Sequence, residues 1–242
     1  MDRRQPNITL SVLHLETAFN VRTAHGEGTC FLYRDDDGLF FVSAAHLFKE
    51  VKANETVFLR HTSGWEPSVI EEISLHPDGA DVCCFVIVGR MPTKLDINYQ
   101  SEISVFLGDE LKFIGFPHKL ALSYDSRTGL ATGLVRTAFF SGFCEIEGQK
   151  MWILDGFNNK GYSGGPLYSL AQDGQPAITG VVVGFRHEQP ELSQLYRKEG
   201  GATLEVEDHF VMRMNSGMIY AHGIAAVRQT AKKLSIRQDQ AV

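Results

Sequence analysis

The sequence predicts an all-β protein, a sandwich or a barrel, closed by a single C-terminal helix. Two observations carry this. Short runs rich in β-branched and aromatic residues recur between glycine, proline or charged clusters, and only the tail spaces its apolar residues at helical intervals. The first two runs, residues 29–33 and 39–43, flank Arg34-Asp35-Asp36-Asp37-Gly38, whose polar residues and glycine suit a hairpin turn. Further strands are expected at 56–60, 81–88, 110–116, 150–154 and 178–185. The 23 glycines fit such a chain, because tight corners and bulges need positive φ. The helix is expected where Ile224-Ala225-Ala226-Val227-Arg228 runs towards Thr230-Ala231-Lys232-Lys233-Leu234, as a strap over the core.

With 242 residues, 43% of them hydrophobic and 21% charged, the chain can bury one large core or two small ones. The 23 basic and 29 acidic residues leave a net charge of −6 and no basic run, which argues against a nucleic-acid partner. No apolar stretch approaches the roughly 20 residues that span a bilayer, so no membrane partner is expected. The first residues also lack the apolar core of a secretory signal, and a cytoplasmic protein is expected. Cys83 and Cys84 are adjacent while Cys30 and Cys144 stand alone, so there is neither a disulfide framework nor a C-x-x-C zinc pair. Buried free thiols follow, with no metal and no cofactor.

The chemistry concentrates in Asn159-Lys160-Gly161-Tyr162-Ser163-Gly164-Gly165-Pro166-Leu167. A plain tight turn entering a strand would use the same glycines. The alternative is a nucleophilic serine on a sharp turn, with the backbone N–H groups of Gly161 and Ser163 forming an oxyanion hole. A serine hydroxyl needs a general base. Among the nine histidines, His46 follows an apolar strand and two alanines, Ala44-Ala45, which leave room for a ring facing a cleft. His76 is second choice, since it sits in the polar turn Leu75-His76-Pro77-Asp78. A histidine base in turn needs an acceptor that fixes its tautomer. Asp81 opens an apolar strand, where an unpaired carboxylate would be costly. The order His46, Asp81, Ser163 puts base and acid in the first half and the nucleophile in the second, as a cleft between two barrels requires. No H-E-x-x-H spacing supports a metallohydrolase.

These three motifs in this order resemble the chymotrypsin-like (trypsin-fold) serine proteases, over roughly residues 8 to 235. The bacterial high-temperature-requirement type is the most similar branch. Leu107-Gly108-Asp109-Glu110-Leu111-Lys112-Phe113-Ile114-Gly115-Phe116-Pro117 is similar to that branch's second-barrel opening, and Thr132-Gly133-Leu134-Val135 to the strand after it. Asn215-Ser216-Gly217-Met218-Ile219-Tyr220-Ala221 is similar to the strand before its last helix. The resemblance implies two six-stranded Greek-key barrels, at 1–106 and 107–242, followed by a helix. It also implies peptide-bond hydrolysis through an acyl-enzyme, with His46 as base, Asp81 as its orienting acid and Ser163 as nucleophile.

Departures from the family matter as much. Tyr162 stands where activated zymogens carry an aspartate, and there is no Ile-Val-Gly-Gly-like start, so activation by N-terminal cleavage is not expected. Tyr162 is expected instead to perturb the oxyanion turn. Leu47 follows His46, so the flanking cysteine of secreted relatives is missing. The chain stops soon after its last helix, and no peptide-binding domain is expected. By resemblance, Phe157, Lys160, Val183, Gly184 and Phe185 wall the pocket for the residue before the cut. Phe157 in place of an aspartate argues against Arg or Lys there, and Lys160 with Arg186 would favour an acidic residue if an apolar one is not taken. The expected partners are a protein or peptide substrate and a regulatory protein. The alternative function is a latent, scaffolding module of the same fold, suggested by Tyr162 and the acidic insert Glu188-Gln189-Pro190-Glu191-Leu192.

Overall fold

The computed structural model describes residues 8–36, 38–89, 103–122, 131–146, 148–187, 191–193, 196–199, 202–205, 210–212 and 215–235. Asp37 of the expected hairpin and residues 188–190 of the acidic insert lie outside them.

A one-turn helix, α1 (Val12–Leu15), leads into six strands: β1 (Ala18–Arg22), β2 (Glu27–Asp35), β3 (Gly38–Ser43), β4 (Thr56–His61), β5 (Gly64–Leu75) and β6 (Cys83–Ile87). They close into an antiparallel barrel in the order β1-β2-β3-β6-β5-β4. Closure falls on two pairs, Val21 opposite Leu59 and Arg22 opposite Phe58. The hairpin forms as expected, with Asp35 paired to Gly38. Inward-facing aromatic residues fill this barrel: Phe41 stacks on Phe85 at 5.0 Å, and Phe48 meets the same ring at 4.8 Å. All three are buried, so each contributes on the order of 2–3 kcal/mol of transfer free energy.

The second barrel uses β7 (Glu110–Gly115), β8 (Leu134–Ile146), β9 (Gln149–Gly156), β10 (Pro166–Leu170), β11 (Pro176–His187) and, after four short strands, β16 (Asn215–Gly223). Those four, β12 (Glu191–Ser193), β13 (Tyr196–Glu199), β14 (Ala202–Glu205) and β15 (Phe210–Met212), form two separate two-stranded sheets. The barrel order is β10-β11-β16-β9-β8-β7, again antiparallel and closed. Helix α2 (Ile224–Ala231) then packs on β5 and β6 of the first barrel as well as on β11 and β16 of the second. Its buried Val227 and Ala231 join a cluster that also holds Cys84 and Val181, so the helix pins one barrel to the other. The fold is thus two six-stranded barrels and a C-terminal helix.

Some boundaries differ from the expected ones. The strand expected at 81–88 starts at Cys83, because Asp81 is the centre of a tight turn closed by Val82 N–H to the Ala80 carbonyl at 2.7 Å. The helix stops at Ala231 and Leu234 is reached by a turn. Strands β1 and β5 were not expected. β5 contains Pro67 and several exposed polar residues, and its strand state comes from pairing with β4 and β6 rather than from its own pattern.

Candidate active site

His46 and Asp81 meet as the sequence suggests. β3 ends at Ser43, and Ala44, buried and extended, leads into a 3-10 turn, Ala45–Leu47, that lifts His46 to the surface. The Asp81 carboxylate takes two hydrogen bonds from this one residue. Oδ2 accepts from the His46 ring Nδ1 and Oδ1 from the His46 backbone N–H, each at 2.7 Å. An ionised carboxylate is an acceptor only, so this fixes the proton on Nδ1 and leaves Nε2 with a free lone pair. His76 does not compete: its Nδ1 accepts the Asp78 N–H at 3.2 Å within its own turn.

Ser163 sits on the turn that enters β10. Gly161 has φ +107°, and a Cβ there would run into the Phe116 carbonyl; Gly164 has φ +84°, and its Cβ would run into the Thr29 carbonyl. Both positions therefore need glycine for conformation and for space. The turn is docked on the first barrel. Thr29 on β2 donates its N–H to the Ser163 carbonyl at 2.8 Å and its hydroxyl to the Gly161 carbonyl at 2.7 Å. Ser43, three residues before His46, donates its hydroxyl to the Thr29 carbonyl at 2.7 Å, which ties the two halves of the site together.

The two expected oxyanion donors are unencumbered. The Lys160 carbonyl accepts from His118 N–H at 3.4 Å and the Tyr162 carbonyl from Gly165 N–H at 2.8 Å. In a trans peptide the N–H points opposite to the C=O, so the Gly161 and Ser163 N–H groups face away from these partners. Among the described residues neither donates to a backbone carbonyl. Tyr162 does not disturb the turn but anchors it. Its ring is fully buried in the second barrel, edge-on to Phe113 at 4.9 Å, and its hydroxyl accepts from Arg136 Nε at 3.1 Å. Burial pushes the Tyr162 phenol up from its ordinary range, with Arg136 pulling the other way.

One feature is not as a poised nucleophile would have it. The Ser163 hydroxyl donates to the Val183 carbonyl at 3.3 Å, and among the described residues no hydrogen bond joins it to the His46 ring. That bond is long for an O–H donor, hence weak.

The expected pocket residues gather only in part. Asn158, fully buried, donates its amide to the Gly184 carbonyl at 3.1 Å and so joins the segment before Ser163 to β11. Val183 is buried and Phe185 half-buried, whereas Phe157 is 53% exposed and Lys160 is exposed. The Arg136 guanidinium lies 5.5 Å from the Phe157 ring centroid and donates to the Phe157 carbonyl at 3.2 Å. Arg136 escaped sequence reasoning because it sits in β8, far along the chain from the serine turn. Thr29 and Asn158 were also missed; a hydroxyl beside Gly28 at the start of an apolar strand was the available signal for Thr29. Among the described residues no group of three His, Cys, Asp or Glu side chains could hold a metal ion.

Two closed six-stranded antiparallel barrels pinned together by a C-terminal helix, with His46, Asp81 and the Ser163 turn in the expected order, settle the architecture. The chain has the chymotrypsin-like protease fold. It matches the crystal structure of the Rv3671c protease in its inactive form with a TM-score of 0.56 and 16% identity, over 93% of this chain and 92% of that one. It matches the HtrA-type protease AlgW with tripeptide at a TM-score of 0.53 and 12% identity, over 92% of this chain and 63% of that one. The chain therefore spans less than two thirds of the length of AlgW. No protein-family model and no curated protein sequence matches it. At these identities the likeness to the protease fold concerns architecture, and chemistry has to be argued from the site.

Proposed function

We propose that this protein is a serine endopeptidase that cleaves protein or peptide substrates through an acyl-enzyme. The observation that carries the reading is the double hydrogen bond from His46 to the Asp81 carboxylate, which leaves Nε2 free to accept a proton. Rotation of the Ser163 hydroxyl off the Val183 carbonyl would offer that proton to His46 and free the oxygen to attack a carbonyl carbon. The Gly161 and Ser163 N–H groups would stabilise the tetrahedral oxyanion, and imidazolium His46, balanced by Asp81, would protonate the leaving amine. Water then repeats the sequence on the acyl-enzyme. The Arg136 guanidinium beside Phe157 adds to Lys160 and Arg186 as a reason to favour an acidic residue before the cut over a basic one.

A second reading rests on the Ser163–Val183 bond: a resting site that stays latent, or merely scaffolds, until a regulatory protein re-aims the hydroxyl. Such restraint would suit a protease working in the cytoplasm, the compartment we propose. Fluorophosphonate labelling separates the two readings. Labelling of the natural chain, absent in Ser163→Ala and reduced by about 10⁴-fold or more in His46→Ala, is the expected result. A folded natural chain that takes no label speaks for latency.

A further inference from the structure

Behind Asp81, on the side away from His46, lies a second histidine that the mechanism above does not use. His222 is at the end of β16, opposite Val181 of β11, and only 3% exposed. Its Nε2 accepts the backbone N–H of Asp81 at 3.3 Å, across the junction between the two barrels. The Lys150 backbone at the start of β9 lies on another side of the ring and favours its protonated form. The bond from Asp81 can be made only by a neutral ring protonated at Nδ1, because a donor N–H needs an unprotonated Nε2 opposite it.

The loop that carries Asp81 is tethered from the second barrel at two further points. Gln149 donates to the Asp78 carbonyl, and Gln229 of α2 donates to Asp78 Oδ2 at 2.9 Å. Of these three tethers His222 alone reaches Asp81 itself, and it alone titrates.

We propose that neutral His222 is a positioning residue: by accepting the Asp81 N–H it holds the carboxylate against His46, and protonation of His222 releases it. The inference rests on the protease reading of His46, Asp81 and Ser163. A protonated ring would set Nε2–H against the Asp81 N–H, donor against donor, and would bring a cation within reach of the same carboxylate that His46 needs. The proton can arrive from solvent, since His222 and His76 share the wall of an open cleft of about 540 Å³ with Trp152 and Gln229.

The titratable groups facing His222 are few among the described residues. Asp81 and His76 come from the β5–β6 loop, and β9 brings Lys150, whose ammonium lies 4.3 Å from the Phe143 ring centroid. Burial lowers the His222 pKa below its ordinary value of 6.5, Asp81 working against this and His76 with it. A basic group depressed on folding takes up protons more readily when unfolded. Its stabilising effect is therefore present above about pH 6.5 and is lost as pH falls through the lower folded value.

The test uses the full chain in two forms. In Ser163→Ala protein, proton and nitrogen NMR follows the low-field His46 Nδ1–H resonance that marks the bond to Asp81. His222→Leu removes the acceptor; His222→Gln keeps an acceptor at the same reach but cannot titrate. The resonance should be lost in His222→Leu and restored in His222→Gln. On acidification it should disappear in step with His222 protonation in the otherwise natural chain and persist in His222→Gln. In the Ser163 protein, His222→Leu should lower the fluorophosphonate labelling rate by about 10- to 100-fold, as loss of an outer-shell partner does elsewhere, with His222→Gln rescuing it. An unchanged resonance in folded His222→Leu, or the same acid behaviour with and without a titrating residue 222, overturns the proposal. If His222→Leu does not fold, the acid comparison with His222→Gln decides alone. Coupling seen by NMR without labelling of any form would count against an active protease, favour the latent or scaffolding reading, and leave the hold of His222 on Asp81 standing.

Discussion

His46 and Asp81 are joined by two hydrogen bonds of 2.7 Å, both to the Asp81 carboxylate, whereas the Ser163 turn is shaped by backbone bonds, glycine and the buried Tyr162. The first half of the site is thus electrostatic and partly wet, with the His46 side chain 47% and the Asp81 side chain 29% exposed. The second half is steric, built around the buried Tyr162 ring and Gly164, with Gly161 and Ser163 partly buried. The difference teaches where each half is vulnerable. A change of one atom in the first should remove chemistry and leave the fold, while a single methyl in the second should damage the fold itself.

Asp81→Asn should give the largest effect on chemistry. An amide offers one acceptor oxygen where the carboxylate offers two, so it cannot take both the ring and backbone donors of His46. It would also present an N–H to the ring and favour the wrong tautomer. A loss of about 10⁴-fold in labelling rate is expected, about 5.5 kcal/mol of barrier, as the same substitution causes in chymotrypsin-like serine proteases. The urea midpoint should move little. A variant that labels within tenfold of the natural chain would show that the His46–Asp81 bond is not the working one.

Gly164→Ala breaks the other half. Its φ of +84° is costly for alanine, and the new Cβ would press on the Thr29 carbonyl, a backbone atom that cannot step aside. Destabilisation of about 3 kcal/mol or more is expected in urea unfolding, from strain and overpacking together. A loss of labelling without loss of stability would mean that the turn is less rigid than its contacts imply.

How much of this was legible beforehand follows the same division. His46, Asp81 and Ser163 could be read because each sits in a local motif whose residues explain one another: two alanines before a ring, a carboxylate before an apolar strand, a serine among glycines. The all-β class could be read from repeated short apolar runs, but β1 and β5 were missed, and the exposed polar residues and Pro67 of β5 become a strand only through their neighbours. Long-range partners were not legible. Nothing local in Arg136 says that it will meet Phe157 and Tyr162, and nothing in Ala221-His222-Gly223 says that its ring will reach Asp81. Tyr162 was misjudged for the same reason. Read as a substitution in a functional turn it looks disruptive, but the space opposite Gly115 lets its ring become part of the second core.

Thr29→Val probes the seam between the halves and should have the smallest effect. Valine matches threonine in shape, so packing in β2 is kept and only the hydroxyl bond to the Gly161 carbonyl is lost. That carbonyl retains a partner, the Phe116 N–H at 3.2 Å, and the Thr29 N–H still holds the Ser163 carbonyl. The cost should therefore be that of one ordinary hydrogen bond, about 1 kcal/mol, with no fully orphaned group behind it. If the bond serves to orient the Gly161 N–H, labelling should slow by about fivefold while the urea midpoint shifts little. If it serves only to fasten one barrel to the other, the midpoint should carry the loss and the labelling rate of the folded fraction should stay unchanged. The contacts favour the first outcome, because Thr29 already fastens the barrels through its backbone and adds the hydroxyl at the residue expected to donate to the oxyanion.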